Sequence, residues 1–229
     1  MNKQAQSGRV TNLTRPRYRR VFWDWNGTLL DDRDYAIGVR NRVFPRFGLP
    51  VIRSLAEYYE QFTFPVRLYY ERAGVTEENF AEVANAWMDE YLRGADAVSL
   101  HTDSLAALKT FQSAGLPQVI LSASNTRVLL DQLAHYGLTD YFSDVLGLSH
   151  IFATSKQAIG EAYLQRAGIS PADCVLLGDT LHDAEVAREI GMDCVLISRG
   201  HQSAETLLTA DVPMCSSLSE AASVILSLS

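Results

Sequence analysis

Val21–Thr28 reads VFWDWNGT, a short apolar run that ends in a carboxylate, an amide and a glycine. An apolar run of this length, bounded by turn-forming residues, is typical of a strand buried on both faces of a parallel sheet. Ligands of such sheets bind beyond the carboxyl ends of the strands, which is where Asp24 falls. Asp24 is therefore a candidate nucleophile, as carboxylates can be. The alternative is an Asx-type turn, because Asp, Asn and Gly all favour turns.

Similar runs recur along the chain and alternate with helical patterns. The later strands are predicted at Gln118–Ser122, Asp144–Leu148, Cys174–Leu177 and Cys194–Ile197. The helical patterns each stop at or just before a glycine, and they cover Ser104–Ala114, Thr126–Tyr136, Ser155–Ala167 and Asp183–Ile190. Alternation of strands and helices with glycine stops predicts βαβ units. We therefore expect an α/β fold whose core is a Rossmann-like, doubly wound parallel sheet.

One region, from Asp32 to Val98, lacks strand-like runs. It is predicted to hold several helices, among them Thr76–Arg93, where apolar residues recur at helical spacing. The segment Tyr58–Tyr70 is dense in aromatic residues, which we interpret as core in preference to a ligand cage. The sequence thus predicts an inserted helical cap domain at residues 32–98 and a core made of residues 21–31 and 99–229.

A second predicted strand, Cys174–Leu177, is followed by the sequence GDTLHD, in which Asp179 and Asp183 stand four residues apart. Two carboxylates at a strand end suit a hard cation such as Mg²⁺, which takes oxygen ligands and is often shared with a substrate phosphate. Asp183 also fits the N-cap of the following helix, and both roles can hold together. His182 is interpreted as a hydrogen-bonding loop residue without a catalytic role.

Two further features point to a phosphate group. The sequence Ser122-Ala123-Ser124-Asn125 follows a predicted strand, and its hydroxyls and amides could hold phosphate oxygens. The alternative is that these residues only begin the next helix, because Ser and Asn are common at helix N-termini. Lys156 stands early in a predicted helix, where the helix dipole disfavours a cation, and an anionic partner would explain its position. The alternative is a solvated surface lysine. Mg²⁺ and one lysine together would balance three carboxylates.

Taken in order, these motifs resemble those of the haloacid dehalogenase superfamily, and within it the phosphoglycolate-phosphatase-like branch. The matching segments are DWNGT, the serine after VIL, the lysine in TSKQA and GDTLHD, over roughly Val21 to Arg199. The resemblance implies that Asp24 is the nucleophile and that the Mg²⁺ ligands are Asp24, Asn26 through its carbonyl, Asp179 and Asp183. It also implies a phosphoryl site formed by Thr28, Ser122, Ala123 and Lys156, with specificity coming from the cap. Arg67 of the cap is a candidate contact for a second anionic group, and a surface arginine is the alternative.

One residue departs from the family pattern. Hydrolases of the superfamily usually carry an Asp two positions after the nucleophile, where it protonates the leaving group and then activates water, but here the residue is Asn26. An amide cannot exchange a proton at neutral pH, and general acid–base catalysis contributes about 10²–10⁴-fold. Two hypotheses follow. The first is a Mg²⁺-dependent phosphohydrolase that acts on a small phosphorylated metabolite through an aspartyl-phosphate, and the second is a phospholigand-binding or regulatory protein with impaired catalysis. A phosphosugar mutase depends more on the missing acid, and the acidic pair argues against a dehalogenase.

Composition and charge argue against several other classes of protein. The chain has 229 residues and a net charge of −7, but its first 20 residues carry only basic charges, so the rest is strongly acidic. An acidic body argues against nucleic-acid partners, because phosphate contacts need a basic face. Residues 1–20 are predicted to be a flexible basic tail, with a transit segment as the alternative. No apolar run is long enough to span a membrane. Cys174 and Cys194 lie in apolar runs and are predicted to be buried thiols. The wide spacing of these two and Cys215 indicates a reducing cytoplasm.

Overall fold

The computed structural model describes residues 17–148 and 155–227, so most of the predicted tail, residues 1–16, lies outside the described residues. The strands are β1 (Arg20–Trp23), β2 (Leu30–Asp31), β3 (Ser99–Leu100), β4 (Gln118–Asn125), β5 (Phe142–Leu148), β6 (Cys174–Gly178), β7 (Asp193–Ile197) and β8 (Met214–Cys215). The α-helices are α1 (Arg33–Val43), α2 (Leu55–Gln61), α3 (Val66–Arg72), α4 (Phe80–Arg93), α5 (Ser104–Ser113), α6 (Thr126–His135), α7 (Lys156–Ala167), α8 (Leu181–Ile190), α9 (Ala204–Leu207) and α10 (Leu218–Ser227).

A parallel sheet forms the centre of the fold, with the strand order β5-β4-β1-β6-β7-β8. Within it, Val21 of β1 pairs with Gln118 of β4 on one side and with Val175 of β6 on the other. This order confirms the predicted doubly wound sheet, because strands are added outward from β1 in both directions. The short strands β2 and β3 form a separate antiparallel pair.

Both faces of the sheet are buried, which explains why its strands are apolar at successive positions. Val21 and Trp23 belong to one cluster of buried apolar residues, together with Phe111 of α5. Phe22 belongs to a second cluster, together with Ala187 of α8. Because side chains alternate in direction along a strand, one short run supplies both apolar layers.

Helices α1–α4 fill the stretch between β2 and β3, and we call them the helical insert. They share an apolar cluster that includes Val39 of α1, Tyr58 of α2, Tyr70 of α3 and Val83 of α4. Tyr58 and Tyr70 come from the aromatic segment that is predicted to be core, and both are almost completely buried. The insert therefore has an interior of its own, built largely from aromatic rings.

Two helices begin two or more residues away from their predicted starts. α4 begins at Phe80, four residues late, because the side chain of Asn79 accepts a hydrogen bond from the backbone of Thr76 and holds that segment in a turn. α8 begins at Leu181, two residues early, because Thr180 is its N-cap. Both differences reflect local side-chain bonds that compete with the backbone pattern.

Within residues 17–148 and 155–227, no helix is long and apolar enough to cross a membrane. The three cysteines are free thiols and all are buried, which confirms the prediction for Cys174 and Cys194 and adds Cys215. Their burial in the apolar layers is typical of cysteines that pack as small apolar side chains.

Candidate active site

The carboxyl edge of the sheet brings together residues that are far apart in the chain. Asp24 follows β1, Ser122 lies in β4 and Asp179 follows β6, and these three strands are neighbours. β4 is three residues longer than predicted, so Ser122 lies inside the strand and not at its end. Helices α7 and α8 begin at the same edge and supply Lys156 and Asp183.

A cluster of three carboxylates lies at this edge. One oxygen from each of Asp24, Asp179 and Asp183 falls within 4.8 Å of the others. Lys156 Nζ lies 2.7 Å from Asp24 Oδ1 and 2.5 Å from Asp183 Oδ1, and the lysine side chain is only 2% exposed. Two carboxylates thus account for a cation at the start of α7, where the helix dipole alone would disfavour it.

Burial and neighbouring charges shift the pKa values of these four side chains in different directions. Burial raises the pKa of Asp24 and of Asp179, because their charged forms lose hydration, and neighbouring carboxylates add to both shifts. For Asp183, the ammonium group of Lys156 outweighs burial and lowers the pKa. The carboxylates in turn raise the pKa of Lys156 against the effect of burial, so the lysine is charged. One lysine among three carboxylates leaves the cluster short of positive charge.

Asp183 has a second role at the start of α8. Its Oδ2 accepts hydrogen bonds from the backbone N of Thr180 at 3.0 Å and from Thr180 Oγ1 at 2.6 Å, while Oδ1 faces Lys156. Thr180 and Asp183 form a capping box, with Asp183 at the third helical position and not at the N-cap itself. The bonds within the box fix the direction in which the carboxylate faces the cluster.

Asp179 is fully buried, and two glycines make room for its carboxylate. It accepts hydrogen bonds from Thr28 Oγ1 at 2.8 Å and from the backbone N of His201 at 2.7 Å. A Cβ atom at Gly27 or at Gly200 would overlap this carboxylate. Gly27 also has a φ of +73°, which L side chains rarely adopt. The close approach of these chain segments to Asp179 therefore depends on glycine.

The side chain of Asn26 is held by three residues. Its amide nitrogen lies 2.7 Å from Asp32 Oδ2 and 3.0 Å from Tyr91 Oη, and its carbonyl oxygen accepts a hydrogen bond from Ser124 Oγ at 2.7 Å. Because a carboxylate can only accept, the Asn26 atom that faces Asp32 is the nitrogen. Asn26 thus joins the end of β4 to α4 of the helical insert.

A buried chain of polar side chains extends from the same turn into the insert, and the sequence analysis missed it. His201 Nε2 lies 3.1 Å from Asp32 Oδ1, and His201 Nδ1 lies 2.7 Å from Tyr58 Oη. Burial alone would lower the pKa of His201, but Asp32 and Asp179 raise it to about 9, so the ring is charged at neutral pH. His201 in turn outweighs burial and lowers the pKa of Asp32. The one signal in the sequence is a Gly-His pair shortly after a predicted strand.

Aromatic rings of the helical insert stack on two histidines of the core. Phe62 stacks on His201 with ring centroids 5.1 Å apart, and Phe64 stacks on His182 with centroids 4.7 Å apart. His182 is also paired with Glu185, and burial lowers its pKa. These stacks bring the insert into contact with the carboxyl edge of the sheet.

The remaining residues of the predicted phosphoryl site lie in different settings. Ser122 is buried, and its Oγ accepts a backbone N–H at 3.2 Å, whereas Ala123 is exposed at the same edge. Arg67 forms ion pairs with Glu71 and Glu77, and none of these contacts reaches the carboxylate cluster. Glu71 follows Arg67 by one helical turn on α3, the ordinary arrangement of a surface pair. The contacts of Arg67 therefore correspond to the surface arginine that was the alternative.

The carboxylate cluster fits a divalent cation such as Mg²⁺. Its donor atoms are hard carboxylate oxygens, which are the ligands that Mg²⁺ prefers. The raised pKa values of Asp24 and Asp179 indicate that burial and mutual repulsion are not compensated by Lys156 alone. A divalent ion would supply the missing positive charge. The backbone carbonyl of Asn26 as a further ligand stays a prediction.

Comparison with known proteins agrees with these observations. Residues 21–197 match the family described as haloacid dehalogenase-like hydrolases. Phosphoglycolate phosphatases from Synechococcus elongatus and Rhodobacter capsulatus are 25% and 26% identical to the chain, over 83% and 80% of its length and 88% and 85% of theirs. The structure of a predicted phosphatase from Clostridium acetobutylicum, 20% identical, has a TM-score of 0.81 over 92% of this chain and 99% of that one. The structural likeness shows a shared fold.

Proposed function

The chain belongs to the haloacid dehalogenase-like hydrolase family, and on that premise we propose that it is a Mg²⁺-dependent phosphohydrolase which acts on a small phosphorylated metabolite through an aspartyl-phosphate. The observation that carries the proposal is the position of Asp24, which follows the central strand and contacts Lys156 within a cluster of three carboxylates. Such a site has a nucleophile, a cation and room for a metal at one strand edge. The named relatives make phosphoglycolate one substrate to test.

In the proposed reaction, Asp24 attacks phosphorus with Oδ2, because Lys156 holds Oδ1. Lys156 and Ser122 would hold the phosphoryl oxygens, and Thr28 would keep Asp179 oriented through its hydroxyl. Mg²⁺, when bound, supplies the positive charge that lets a phosphate dianion approach the carboxylates. The residues that would hold it are Asp24, Asp179, Asp183 and the Asn26 carbonyl. Water then hydrolyses the aspartyl-phosphate and restores Asp24.

We also propose that the helical insert serves as a cap over this site, with the boundaries predicted from the sequence, residues 32–98. Tyr58, Phe62 and Phe64 contact core histidines at the carboxyl edge of the sheet, which supports this assignment. A cap in this position would exclude water while the phosphoryl group is transferred and would shape the part of the site that contacts the leaving group.

The proposed setting is the cytoplasm, with a small phosphorylated substrate as the partner and neither a nucleic acid nor a membrane as one. Three buried free thiols are consistent with a reducing compartment. The excess of acidic over basic side chains opposes binding to a polyanion.

The decisive experiment is turnover of an aryl phosphate by the purified protein with millimolar Mg²⁺ and with EDTA. We expect turnover with Mg²⁺ and its loss with EDTA, because the carboxylate cluster lacks compensating charge without the metal. Turnover that is unaffected by EDTA would remove the metal from the proposal. A complete lack of turnover would contradict the proposal that the protein is an enzyme.

A second candidate function, that of a phospholigand-binding or regulatory protein, is favoured by one observation. Asn26 stands where the family's hydrolases usually carry an acid, and its amide is fully engaged in bonds within the protein. The same assay separates the two functions when it is combined with a binding measurement. A binder would show a Mg²⁺-dependent thermal shift with inorganic phosphate but no turnover of any phosphate ester or anhydride.

A further inference from the structure

We infer that the substrates of this site are phosphates whose leaving group departs as a weakly basic oxyanion, with acyl phosphates as the best-matched class. The inference rests on the proposed function and narrows its substrate class. It starts from Asn26, which stands two positions after the proposed nucleophile Asp24 and is held by residues of three chain segments. The substrate class depends on whether a side chain around Asn26 can donate a proton to the leaving oxygen.

Both hydrogens of the Asn26 amide are committed to the protein. One points to Asp32 Oδ2 at 2.7 Å and the other to Tyr91 Oη at 3.0 Å. The carbonyl oxygen of the same amide accepts the hydroxyl hydrogen of Ser124 at 2.7 Å. The amide therefore cannot turn toward a substrate without breaking these bonds, and it holds no acidic proton in any orientation.

Asp32 is the carboxylate nearest to the Asn26 amide, but it cannot take the place of the missing acid. Its two oxygens accept four hydrogen bonds, from Gly27 N at 2.8 Å, His201 Nε2 at 3.1 Å, Asn26 Nδ2 at 2.7 Å and Tyr91 Oη at 2.8 Å. A carboxylate has about four lone-pair sites, so each is filled. Asp32 is thus held as an anion that offers no hydrogen.

The neighbouring donors are engaged in the same network. His201 contacts Asp32 through Nε2 and Tyr58 through Nδ1, so both ring nitrogens already have partners. The Tyr91 hydroxyl donates to Asp32, and the Ser124 hydroxyl donates to Asn26. In the described part of the chain around Asn26, the polar hydrogens of His201, Tyr91 and Ser124 are directed at protein atoms. The side chains around Asn26 can therefore orient a substrate, but they do not donate a proton to its leaving oxygen.

This arrangement has a direct chemical consequence for the first step. When Asp24 attacks phosphorus, the bond from phosphorus to the leaving oxygen breaks and its electron pair stays on that oxygen. From an acyl phosphate, the leaving group departs as a carboxylate, which needs no proton, and one acyl phosphate is exchanged for another on Asp24. From an alkyl phosphate, it would have to depart as an alkoxide, a strong base that requires a proton donor.

The second step is also affected, because Asn26 and Asp32 provide no general base for the water that attacks the aspartyl-phosphate. The bond from phosphorus to Asp24 breaks, its electron pair returns to the carboxylate, and both hydrogens of the water end on the product, dihydrogen phosphate. With a fast first step and an unassisted second step, the phosphorylated form of Asp24 should accumulate during turnover of an acyl phosphate. This gives a readout that does not depend on the overall rate.

The test exchanges the amide and the carboxylate in the double variant Asn26→Asp/Asp32→Asn. The exchange keeps the net charge, and the contacts at 2.7 Å and 3.0 Å can persist with their donors and acceptors reversed. The single variant Asn26→Asp is the comparison, because it places a second carboxylate beside Asp32 and raises the pKa of the pair. The Asp131→Asn variant, which alters an exposed residue of α6, controls for a change from carboxylate to amide outside the site.

The probes are acetyl phosphate, a series of aryl phosphates with increasingly basic phenols, and glycerol phosphate as the alkyl phosphate. For the wild-type protein we expect kcat/KM to fall steeply with leaving-group basicity, and rapid acid quenching to trap the mass of one phosphoryl group on Asp24 during acetyl phosphate turnover. For the exchange variant we expect a flatter series, an alkyl-to-acyl rate ratio raised by about 10-fold or more, and less trapped phosphoenzyme.

Three outcomes would overturn the inference. The first is a wild-type protein that hydrolyses glycerol phosphate as readily as acetyl phosphate. The second is an exchange variant that is folded, as judged by its thermal transition, and turns over acetyl phosphate with an unchanged alkyl-to-acyl ratio. Both outcomes would leave the proposed phosphohydrolase in place. The third is a lack of turnover and of phosphoenzyme with every probe, which would remove the proposed function as well.

Discussion

His201 and Asp32 form a buried ion pair in which Nε2 of the imidazole lies 3.1 Å from Oδ1 of the carboxylate. Asp32 leads into α1 of the helical insert, and His201 follows β7 of the core. Their side chains are 8% and 3% exposed, so neither charge is compensated by water. Removing one partner of such a pair is costly, because the other charge remains buried without compensation.

We predict that Asp32→Asn lowers the free energy of unfolding by about 3–5 kcal/mol near pH 6. The effect should shrink by up to about 3 kcal/mol near pH 9.5, since the raised pKa of His201, about 9, gives stability that is fully present below about 6.5 and is lost as pH rises through 9. Urea unfolding at both pH values measures the difference between variant and wild type.

The matched control is Asp131→Asn, because Asp131 pairs with Arg127 on the surface of α6 and both side chains are mostly exposed. We expect this change to cost less than about 1 kcal/mol, and its effect should be the same at both pH values. A cost for Asp32→Asn that does not depend on pH would mean that His201 is not charged in the folded protein.

Asp24→Asn should abolish turnover of every phosphate probe, because an amide is not a nucleophile toward phosphorus. The protein should still fold, since Lys156 keeps its contact with Asp183 at 2.5 Å. Steady-state kinetics, together with mass spectrometry after acid quenching, should show neither product nor phosphoenzyme. Near-normal turnover in this variant, with Asp131→Asn active as the control, would contradict the covalent mechanism.

Millimolar Mg²⁺ should raise the thermal unfolding temperature of the wild-type protein. At ten times its dissociation constant, a ligand that binds only the folded state adds about 1.4 kcal/mol, which is roughly 3–6 °C for a chain of this size. Asp179→Asn should remove most of the shift, because it takes one carboxylate from the cluster. An unchanged shift in Asp179→Asn, measured by differential scanning fluorimetry against Asp131→Asn, would place the metal elsewhere.

The sequence predicted the candidate site residues that come directly after strands. Asp24 and Asp179 were predictable as site candidates because each follows an apolar strand, and the carboxyl ends of neighbouring parallel strands meet at one edge of the sheet. Tyr91 and His201 were not predictable. Tyr91 meets the site only when the insert folds back onto the core. His201 comes from the loop after β7, where its backbone N bonds to Asp179. No periodicity encodes such a contact.

Arg67 and Asn26 also show that the sequence does not reveal which partners a side chain contacts. Arg67 was a candidate ligand contact on charge alone, although Glu71 one turn later already indicated a surface pair. The amide of Asn26 was recognised as a missing acid, but its three bonds to Asp32, Tyr91 and Ser124 became visible only in the structure. The type of residue could be read from the sequence, whereas its commitment to particular partners could not.

Gly200→Ala should weaken Mg²⁺ binding without touching any proposed ligand. A Cβ atom at position 200 would overlap the carboxylate of Asp179, so this side chain or the loop that carries His201 must move. Crowding a packed site in this way typically costs about 1–3 kcal/mol of stability, and the displaced carboxylate should reduce the Mg²⁺-dependent thermal shift.

The matched control for this change is Gly38→Ala in the middle of α1. There the added Cβ would meet only the end of the Arg42 side chain, at 3.3 Å, and alanine in a helix is favoured over glycine by about 0.5–1 kcal/mol. We therefore expect Gly38→Ala to leave the Mg²⁺ shift unchanged and to keep or raise the unfolding temperature. Isothermal titration with Mg²⁺ separates affinity from stability for both variants. An equal affinity in Gly200→Ala and wild type would mean that Asp179 is not held in the position on which metal binding depends.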